Sequence, residues 1–270
     1  MSLNKDFGKI YKSEPVSILV KRAESIKEDL LNHKVLVFKS TKTSISELIR
    51  FLKTIHTNNE FCKVKESRTS SELFEFCNKN NRKIPSENEY FCRYGVDRWR
   101  VDDSWKESVT DIGCMQMVKS PIIGGESRFV DLERVYQELT NEDISFISRL
   151  TSPGWNSDID TPPMWRGPEF EHKSIRLHPE TGRLSVFYNG QNTVAKDNDK
   201  WVKYKLGLLE LFEERKIRFD IKLEENDVAI WDNRCVAHAL TGGFSVGERV
   251  YNKIELGKSV PFDRAENEKH

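Results

Sequence analysis

A single histidine closes the most apolar stretch of the chain. The segment DVAIWDNRCVAHAL (227–240) has the residues of buried strands, with polar groups crowded before His238. Arg249 follows eleven residues later, at the start of the next predicted strand. On neighbouring strands these two residues can share one pocket, where the histidine binds a metal and the planar guanidinium binds a carboxylate. The alternative is that His238 is a packed core residue.

Composition limits the classes of protein to which the chain can belong. It has 270 residues, with 43 basic and 43 acidic side chains and a net charge of zero. A neutral chain argues against nucleic-acid binding, which requires a basic face. The five cysteines form no CxxC pair, so we expect reduced thiols. No stretch resembles a membrane span, and the start MSLNKDFGKIYKSEP lacks the apolar core of a signal peptide, so we expect a cytoplasmic location.

Helical patterns precede strand patterns along the chain. Helices are predicted at 16–34, at 48–55 behind a Ser44/Glu47 capping box, as two short helices within 129–150, and at about 200–215. Strands are predicted at 35–40, 113–120, 174–178, 183–188, 216–222, 227–232 and 249–256. This order predicts a mainly β fold with flanking helices, an antiparallel sandwich or jelly roll in one domain, 1–270.

Two segments are predicted to be irregular or to form lids. Residues 60–98 are charged, with a helix predicted only at SSELFEFC (70–77). Residues 151–170 are rich in Pro, Gly and Trp, and long loops of this kind are often functional.

Several motifs occur together in a fixed order. They are PIIGGES with FVDLERVYQEL, then HKSIRLHPETGR, then LEENDVAIWDNR, and finally WDNRCVAHAL with GERVYNK. In this order they resemble the TauD/TfdA family of taurine-dioxygenase-like enzymes, over about residues 16–256. The resemblance implies a double-stranded β-helix core, a jelly-roll variant. It also implies an iron(II)- and 2-oxoglutarate-dependent oxygenase that hydroxylates or desaturates a small-molecule substrate.

The resemblance assigns roles to individual residues. His238 matches an iron-binding histidine, Arg249 the arginine that binds the far carboxylate of 2-oxoglutarate, and Ser127 a hydroxyl that assists this arginine. Counted back from the GG turn, Trp99 and Asp102 match the family's Trp-His-x-Asp pattern, which makes Asp102 an iron ligand. The implied catalytic residues are Asp102, His238 and Arg249.

Arg100 occupies the position of the remaining histidine ligand. A guanidinium has no free lone pair and stays protonated, so it cannot bind iron. Both iron(II) and 2-oxoglutarate are therefore in doubt as cofactors.

Three interpretations of this substitution remain open. Another group completes the site, with Asp103, His172 and Cys114 as the nearest candidates. Alternatively, the two matched ligands hold iron alone and 2-oxoglutarate supplies two further oxygens. In the third interpretation the domain has lost its iron, and Arg100 binds Asp102 or an anionic ligand.

Three residues are candidate substrate contacts, namely Arg100, Lys253 and Trp165. Lys253 stands where relatives often have an arginine that meets an acidic group of the substrate, so taurine and herbicide-type acids are not expected as substrates. The alternative is that Lys253 is a solvated surface residue. Trp165 lies in the long loop, where a packed loop residue is the alternative.

Two functions of different classes follow. The first is the oxygenase, with secondary metabolism among the roles open to the family. The second is a catalytically inactive domain that binds a small acid or a partner protein. The sequence does not fix the oligomeric state, and a homo-oligomer stays open. Of the other histidines, His178 is predicted to be structural, and His33, His56 and His270 are predicted to lie at the surface.

Overall fold

The computed structural model describes residues 6–58, 60–68, 95–104, 106–148, 151–152, 172–188, 198–245 and 248–261. Its helices are α1 (Val16–Lys21), α2 (Ala23–His33), α3 (Ile45–Ile55), α4 (Leu132–Glu138), α5 (Asn141–Ile147) and α6 (Asn198–Phe212). Its strands are β1 (Lys9–Tyr11), β2 (Val35–Phe38), β3 (Cys62–Arg68), β4 (Gly95–Arg100), β5 (Val109–Lys119), β6 (Ser127–Asp131), β7 (Thr151–Ser152), β8 (His172–Lys173), β9 (Ile175–Leu177), β10 (Leu184–Val186), β11 (Arg218–Ile221), β12 (Val228–Asp232), β13 (Val236–Thr241) and β14 (Val250–Ser259).

Two sheets form the centre of the fold. The larger sheet has the strand order β1-β2-β12-β5-β14-β3, and the smaller has the order β11-β6-β13-β4. Neighbours in both sheets are antiparallel, except that β1 runs parallel to β2. Many of these neighbours are far apart in sequence, as in a jelly roll. The prediction of a mainly β fold with a jelly-roll core is confirmed.

A buried apolar cluster lies between the sheets. It is built from β2, β5 and β12 of the larger sheet and from β6 and β13 of the smaller one. Phe129 and Trp231 face each other across it, with ring centroids 5.7 Å apart. This core fixes the two sheets relative to each other, so side chains at one end of the sandwich keep defined separations.

The helices cover the outer faces of the sheets. Helices α1–α3 pack on the larger sheet, and α4–α6 pack on the smaller one. The predicted capping box is present, because the Ser44 hydroxyl accepts from the Glu47 amide while the Glu47 carboxylate accepts from the Ser44 amide. The helix predicted at 16–34 is interrupted at Arg22, whose amide donates to the Leu19 carbonyl. None of the helices in the described ranges has the length and apolar content that a bilayer crossing requires.

Several elements differ from their prediction. Residues 129–131 belong to strand β6 rather than to a helix, and the Asp131 side chain then caps α4. The segment predicted as irregular begins and ends with strands, since β3 pairs with β14 and β4 pairs with β13. Between these strands, residues 69–94 with the predicted 70–77 helix lie outside the described residues, as do 153–171. His56 is buried against Asp111 rather than at the surface.

Candidate active site

The candidate site lies where β4, β13 and β14 come together. His238 on β13 pairs with Arg100 of β4 on one side and with Phe129 of β6 on the other. Asp102 lies two residues beyond β4. Its backbone amide donates to the Asn233 side-chain oxygen at 2.9 Å, and its carbonyl accepts from the Asn233 amide at 3.0 Å. Asn233, which the motif analysis did not single out, therefore fixes the position of Asp102.

Asp102 and His238 form a close buried pair. Nε2 of His238 lies 3.5 Å from Oδ1 of Asp102, and both side chains are almost completely buried. The Trp231 ring packs on the imidazole at a centroid distance of 5.1 Å. Two further atoms of the pair, Asp102 Oδ2 and His238 Nδ1, are buried and have no hydrogen-bond partner among the described residues. Buried polar atoms without a partner are few in native proteins, and a bound ion is one way in which such atoms are satisfied.

The electrostatics of the pair favour metal binding. Burial lowers the pKa of His238 to about 3, with the charges of Arg100, Lys253 and Arg249 adding to the effect and that of Asp102 opposing it. Burial alone would raise the pKa of Asp102, but Lys253 above all holds that pKa well below its usual range. At neutral pH the imidazole is therefore uncharged with a free lone pair, and the carboxyl group is ionised.

Arg249 is buried beside this pair, on the strand side that faces Ser127. Its Nη2 donates to the Ser127 hydroxyl at 3.0 Å and contacts the Met115 sulfur at 3.3 Å, while its Nε donates to the Gly125 carbonyl at 3.3 Å. The guanidinium also packs on the ring of Tyr251. The predicted neighbours Arg249 and Ser127 are thus brought together, and the groups Ser127, Met115 and Gly125 contact the guanidinium without adding charge.

The GG turn makes room for this arginine. Gly124 and Gly125 both have positive φ, which favours glycine. A Cβ on Gly125 would lie 2.7 Å from the ring of Pro121 and 3.3 Å from Cδ of Arg249, while one on Gly124 would strike the Gly242 carbonyl. The turn therefore needs glycine at both positions, and Gly125 is the one that leaves space for the Arg249 side chain.

Lys253 reaches into the site from β14. Its ammonium lies 2.5 Å from Oδ1 of Asp102 and 3.7 Å from a carboxylate oxygen of Glu255. Its side chain is only 16 % exposed. The alternative of a solvated surface lysine is therefore wrong. This contact is readable from the sequence because side chains alternate between the two faces of a strand. The alternation places Lys253 on the face of β14 that is turned toward the site.

Arg100 lies directly across from His238 but does not pair with Asp102. Its side chain is exposed, and Lys253 rather than Arg100 is the ion-pair partner of Asp102 among the described residues. An Arg100–Asp102 pair is therefore wrong, whereas loss of iron with Arg100 binding an anionic ligand stays a prediction. As a candidate substrate contact, Arg100 stays a prediction, and Trp165 lies outside the described residues.

The three groups proposed to complete the site have other roles. Asp103 accepts from Lys106 at 2.6 Å and from Thr110 at 3.1 Å. His172 Nε2 donates to the Lys106 carbonyl at 2.6 Å. Cys114 lies in the core between the larger sheet and its helices. In the part of the chain that the structure describes, none of the three replaces the missing histidine.

A second buried cluster, His178, Asp232 and Cys235, has ligand atoms within 4.8 Å of one another. Nε2 of His178 donates to Asp232 at 3.0 Å, and its Nδ1 accepts from two backbone amides. Arg234 binds both oxygens of Asp232. Because both imidazole nitrogens and the carboxylate are already engaged, the cluster is structural, as predicted for His178.

Asp102 and His238 fit a divalent ion, but as two ligands rather than three. Two bonds of about 2.1 Å that diverge by about 90–120° end on atoms about 3.0–3.6 Å apart, and Oδ1 and Nε2 are 3.5 Å apart. A carboxylate and a neutral imidazole also suit iron(II). Arg100 supplies no third ligand, so the residues that the structure describes do not form a full facial triad.

Known proteins share both sequence and fold with this chain. Oxygenase relatives include the alpha-ketoglutarate-dependent dioxygenase oryG of Aspergillus oryzae, 25% identical over 54% of this chain and 49% of its own length. The alpha-ketoglutarate-dependent 2,4-dichlorophenoxyacetate dioxygenase of Cupriavidus pinatubonensis is 23% identical over 78% of this chain and 80% of its own. The chain thus spans about half the length of oryG.

Solved structures show the same fold. A taurine dioxygenase from Burkholderia xenovorans superposes with a TM-score of 0.68 at 17% identity, over 96% of this chain and 90% of that one. AAD-2 in complex with Mn(II) and N-oxalylglycine gives a TM-score of 0.71 at 15% identity, over 96% and 97%.

The family profile described as taurine catabolism dioxygenase TauD, TfdA family matches residues 5–253. The predicted resemblance is confirmed, and the dioxygenase names of these relatives agree with the predicted oxidoreductase class. The chain belongs to the TauD/TfdA dioxygenase family.

Proposed function

We propose that the chain is a 2-oxoglutarate-dependent oxygenase that oxidises a small organic molecule, with iron(II) held by Asp102 and His238. The observation that carries the proposal is the buried Arg249, fixed by Ser127 beside an ionised carboxylate and a neutral imidazole. Relatives named for 2-oxoglutarate support the co-substrate.

Each residue has a separate task in this proposal. Arg249 binds the far carboxylate of 2-oxoglutarate through its planar fork, and Ser127 keeps that fork oriented. Asp102 and His238 hold the metal, and Asn233 positions Asp102 through its backbone. When bound, iron(II) with 2-oxoglutarate would supply the activation of oxygen for substrate oxidation.

A small-molecule substrate agrees with the relatives. Among them are proteins named for sulfate esters and for 2,4-dichlorophenoxyacetate. Arg249 and Lys253 bring positive charge to a site with a single ligand carboxylate, Asp102, so an acidic co-substrate is favoured over a basic one. Hydroxylation and desaturation are both compatible with these residues, and we propose that one domain carries them.

Arg249→Lys tests the proposal. The substitution keeps the charge but loses the two-pronged contact, and one charge-assisted hydrogen bond contributes about 1.5–3 kcal/mol. Binding of 2-oxoglutarate, measured by anaerobic calorimetry with Mn(II), should weaken about 10- to 100-fold. Arg218→Lys is the matched control, because Arg218 lies in an ion pair with Glu213 outside the pocket.

A turnover assay tests whether the protein catalyses the proposed reaction. With iron(II), oxygen and an added two-electron reductant such as ascorbate to accept the second oxygen atom, the wild-type protein should convert 2-oxoglutarate to succinate and CO2. At a 2-oxoglutarate concentration near the wild-type Kd, Arg249→Lys should do so about 10- to 100-fold more slowly. Undiminished 2-oxoglutarate binding by Arg249→Lys would refute the assigned role.

A catalytically inactive binding domain is the second candidate. The Lys253–Asp102 ion pair favours it, because this pair neutralises the carboxylate without a metal. Such a domain would bind 2-oxoglutarate or another small acid through Arg249 and form no succinate at saturating iron(II).

A further inference from the structure

We propose that Lys253 is the resident cation of the candidate site. Its ammonium occupies the Asp102 oxygen that a metal ion would use, and it must move before a divalent ion can bind Asp102 and His238. This proposal deepens the proposed function, because it concerns the same two metal ligands.

Both cations compete for one oxygen atom. Oδ1 of Asp102 accepts from Lys253 at 2.5 Å, and the same oxygen lies 3.5 Å from Nε2 of His238. An ion shared by Asp102 and His238 would be placed between Oδ1 and Nε2. It would therefore stand within a few ångströms of the ammonium.

Burial makes this competition strong. The side chains of Asp102 and His238 are 8 % and 7 % exposed, so water screens little of the repulsion between the ammonium and a divalent ion. The guanidinium charges of Arg100 and Arg249 also act on His238. Lys253 differs from these two because it is in direct contact with the ligand carboxylate.

Glu255 provides a second place for the ammonium. It follows Lys253 by two residues on β14, so both side chains project from the same face of the strand. Its carboxylate is buried and lies 3.7 Å from the ammonium. A small rotation of the lysine side chain would transfer it from Asp102 to Glu255, which keeps the charge compensated while Asp102 binds a metal.

Mn(II) alone, titrated into the metal-free protein and followed by electron paramagnetic resonance, tests the proposal. Lys253→Met and Lys253→Gln should each bind Mn(II) at least about 10-fold more tightly than the wild-type protein, because a like charge is removed. Lys253→Arg retains the charge and should not bind more tightly. Lys258→Met is the matched control, because Lys258 lies on the same strand but pairs with Asp103 at 3.8 Å.

Glu255→Gln tests the second position. It should weaken Mn(II) binding more when Lys253 is present than in a Lys253→Met background, because only the lysine needs Glu255 as a second partner. Near-ultraviolet circular dichroism shows whether each variant keeps its packing, and the arginine and glutamine variants remain informative if the methionine variant unfolds.

The outcomes separate this proposal from the oxygenase function. Tighter Mn(II) binding by the uncharged variants supports a resident cation, even if the wild-type protein never turns over 2-oxoglutarate. Equal affinities would overturn the resident cation and leave the oxygenase proposal standing. Weaker binding by the variants would overturn it too, since Lys253 would then support the carboxylate ligand. No Mn(II) binding by any variant would refute a metal site at Asp102 and His238 altogether.

Discussion

Arg100→His should rebuild the metal site. Directly opposed residues on antiparallel strands have Cβ atoms about 4.5–5.5 Å apart and point to the same face, and Arg100 lies opposite His238. A histidine at position 100 therefore places a second imidazole beside that of His238. The substitution supplies a ligand where there was none and removes a positive charge that acts on the site.

The expected gain follows from the ligand count. Loss of a group that merely supports a metal ligand costs about 10- to 100-fold in affinity, so a new direct ligand should contribute at least about 100-fold, or about 2.7 kcal/mol. Stability should change little. Arg100 is exposed and Asp102 is paired with Lys253, so the free energy of unfolding should stay within about 0.5 kcal/mol of the wild-type value.

Mn(II) titration measures the metal affinity, and urea unfolding measures the free energy of unfolding. Arg128→His is the matched control, because Arg128 lies on β6, on the other side of β13, where it packs against Trp99 and pairs with Glu213. Unchanged affinity and unchanged stability would refute the reasoning, since residue 100 would then not face the site. A stability loss of several kcal/mol would instead show that Arg100 has a structural partner.

Two further predictions concern pH and the GG turn. Burial lowers the pKa of His172 to about 4, so the folded protein binds fewer protons than the unfolded chain between pH 6.5 and 4. Because of His172, the free energy of unfolding should therefore decrease by up to about 1.4 kcal/mol per pH unit as the pH falls through this window. The difference in unfolding free energy between wild type and His172→Gln should show this slope, and parallel curves would contradict it. Gly125→Ala should lose more stability and more 2-oxoglutarate affinity than Gly182→Ala, because both have positive φ but only Gly125 lacks space beside Arg249; equal losses would assign the effect to backbone strain alone.

The sequence determined the features that depend on local pattern. Apolar alternation located most strands of the larger sheet, and the Ser44/Glu47 spacing marked the start of α3. Motif order assigned His238 and Asp102 to one site, and the structure places them 3.5 Å apart. These signals are readable because periodicity and capping act within a few residues.

Strands β3 and β4 were not predicted from the sequence, because their residues show no strong apolar alternation. They are strands because β14 and β13 offer unpaired edges beside them. Backbone pairing of this kind depends on a distant partner, which tertiary context supplies and local propensity does not.

The charge arrangement of the site was likewise decided by tertiary structure alone. Lys253 and Asp102 are 151 residues apart, and Arg100 is far closer to Asp102 in sequence, yet the lysine makes the ion pair. The choice follows from how deeply each side chain is buried. Strand β14 directs Lys253 inward to Oδ1, whereas the Arg100 side chain is exposed on β4. A sequence lists the charges that are present, but strand register and burial determine which of them meet.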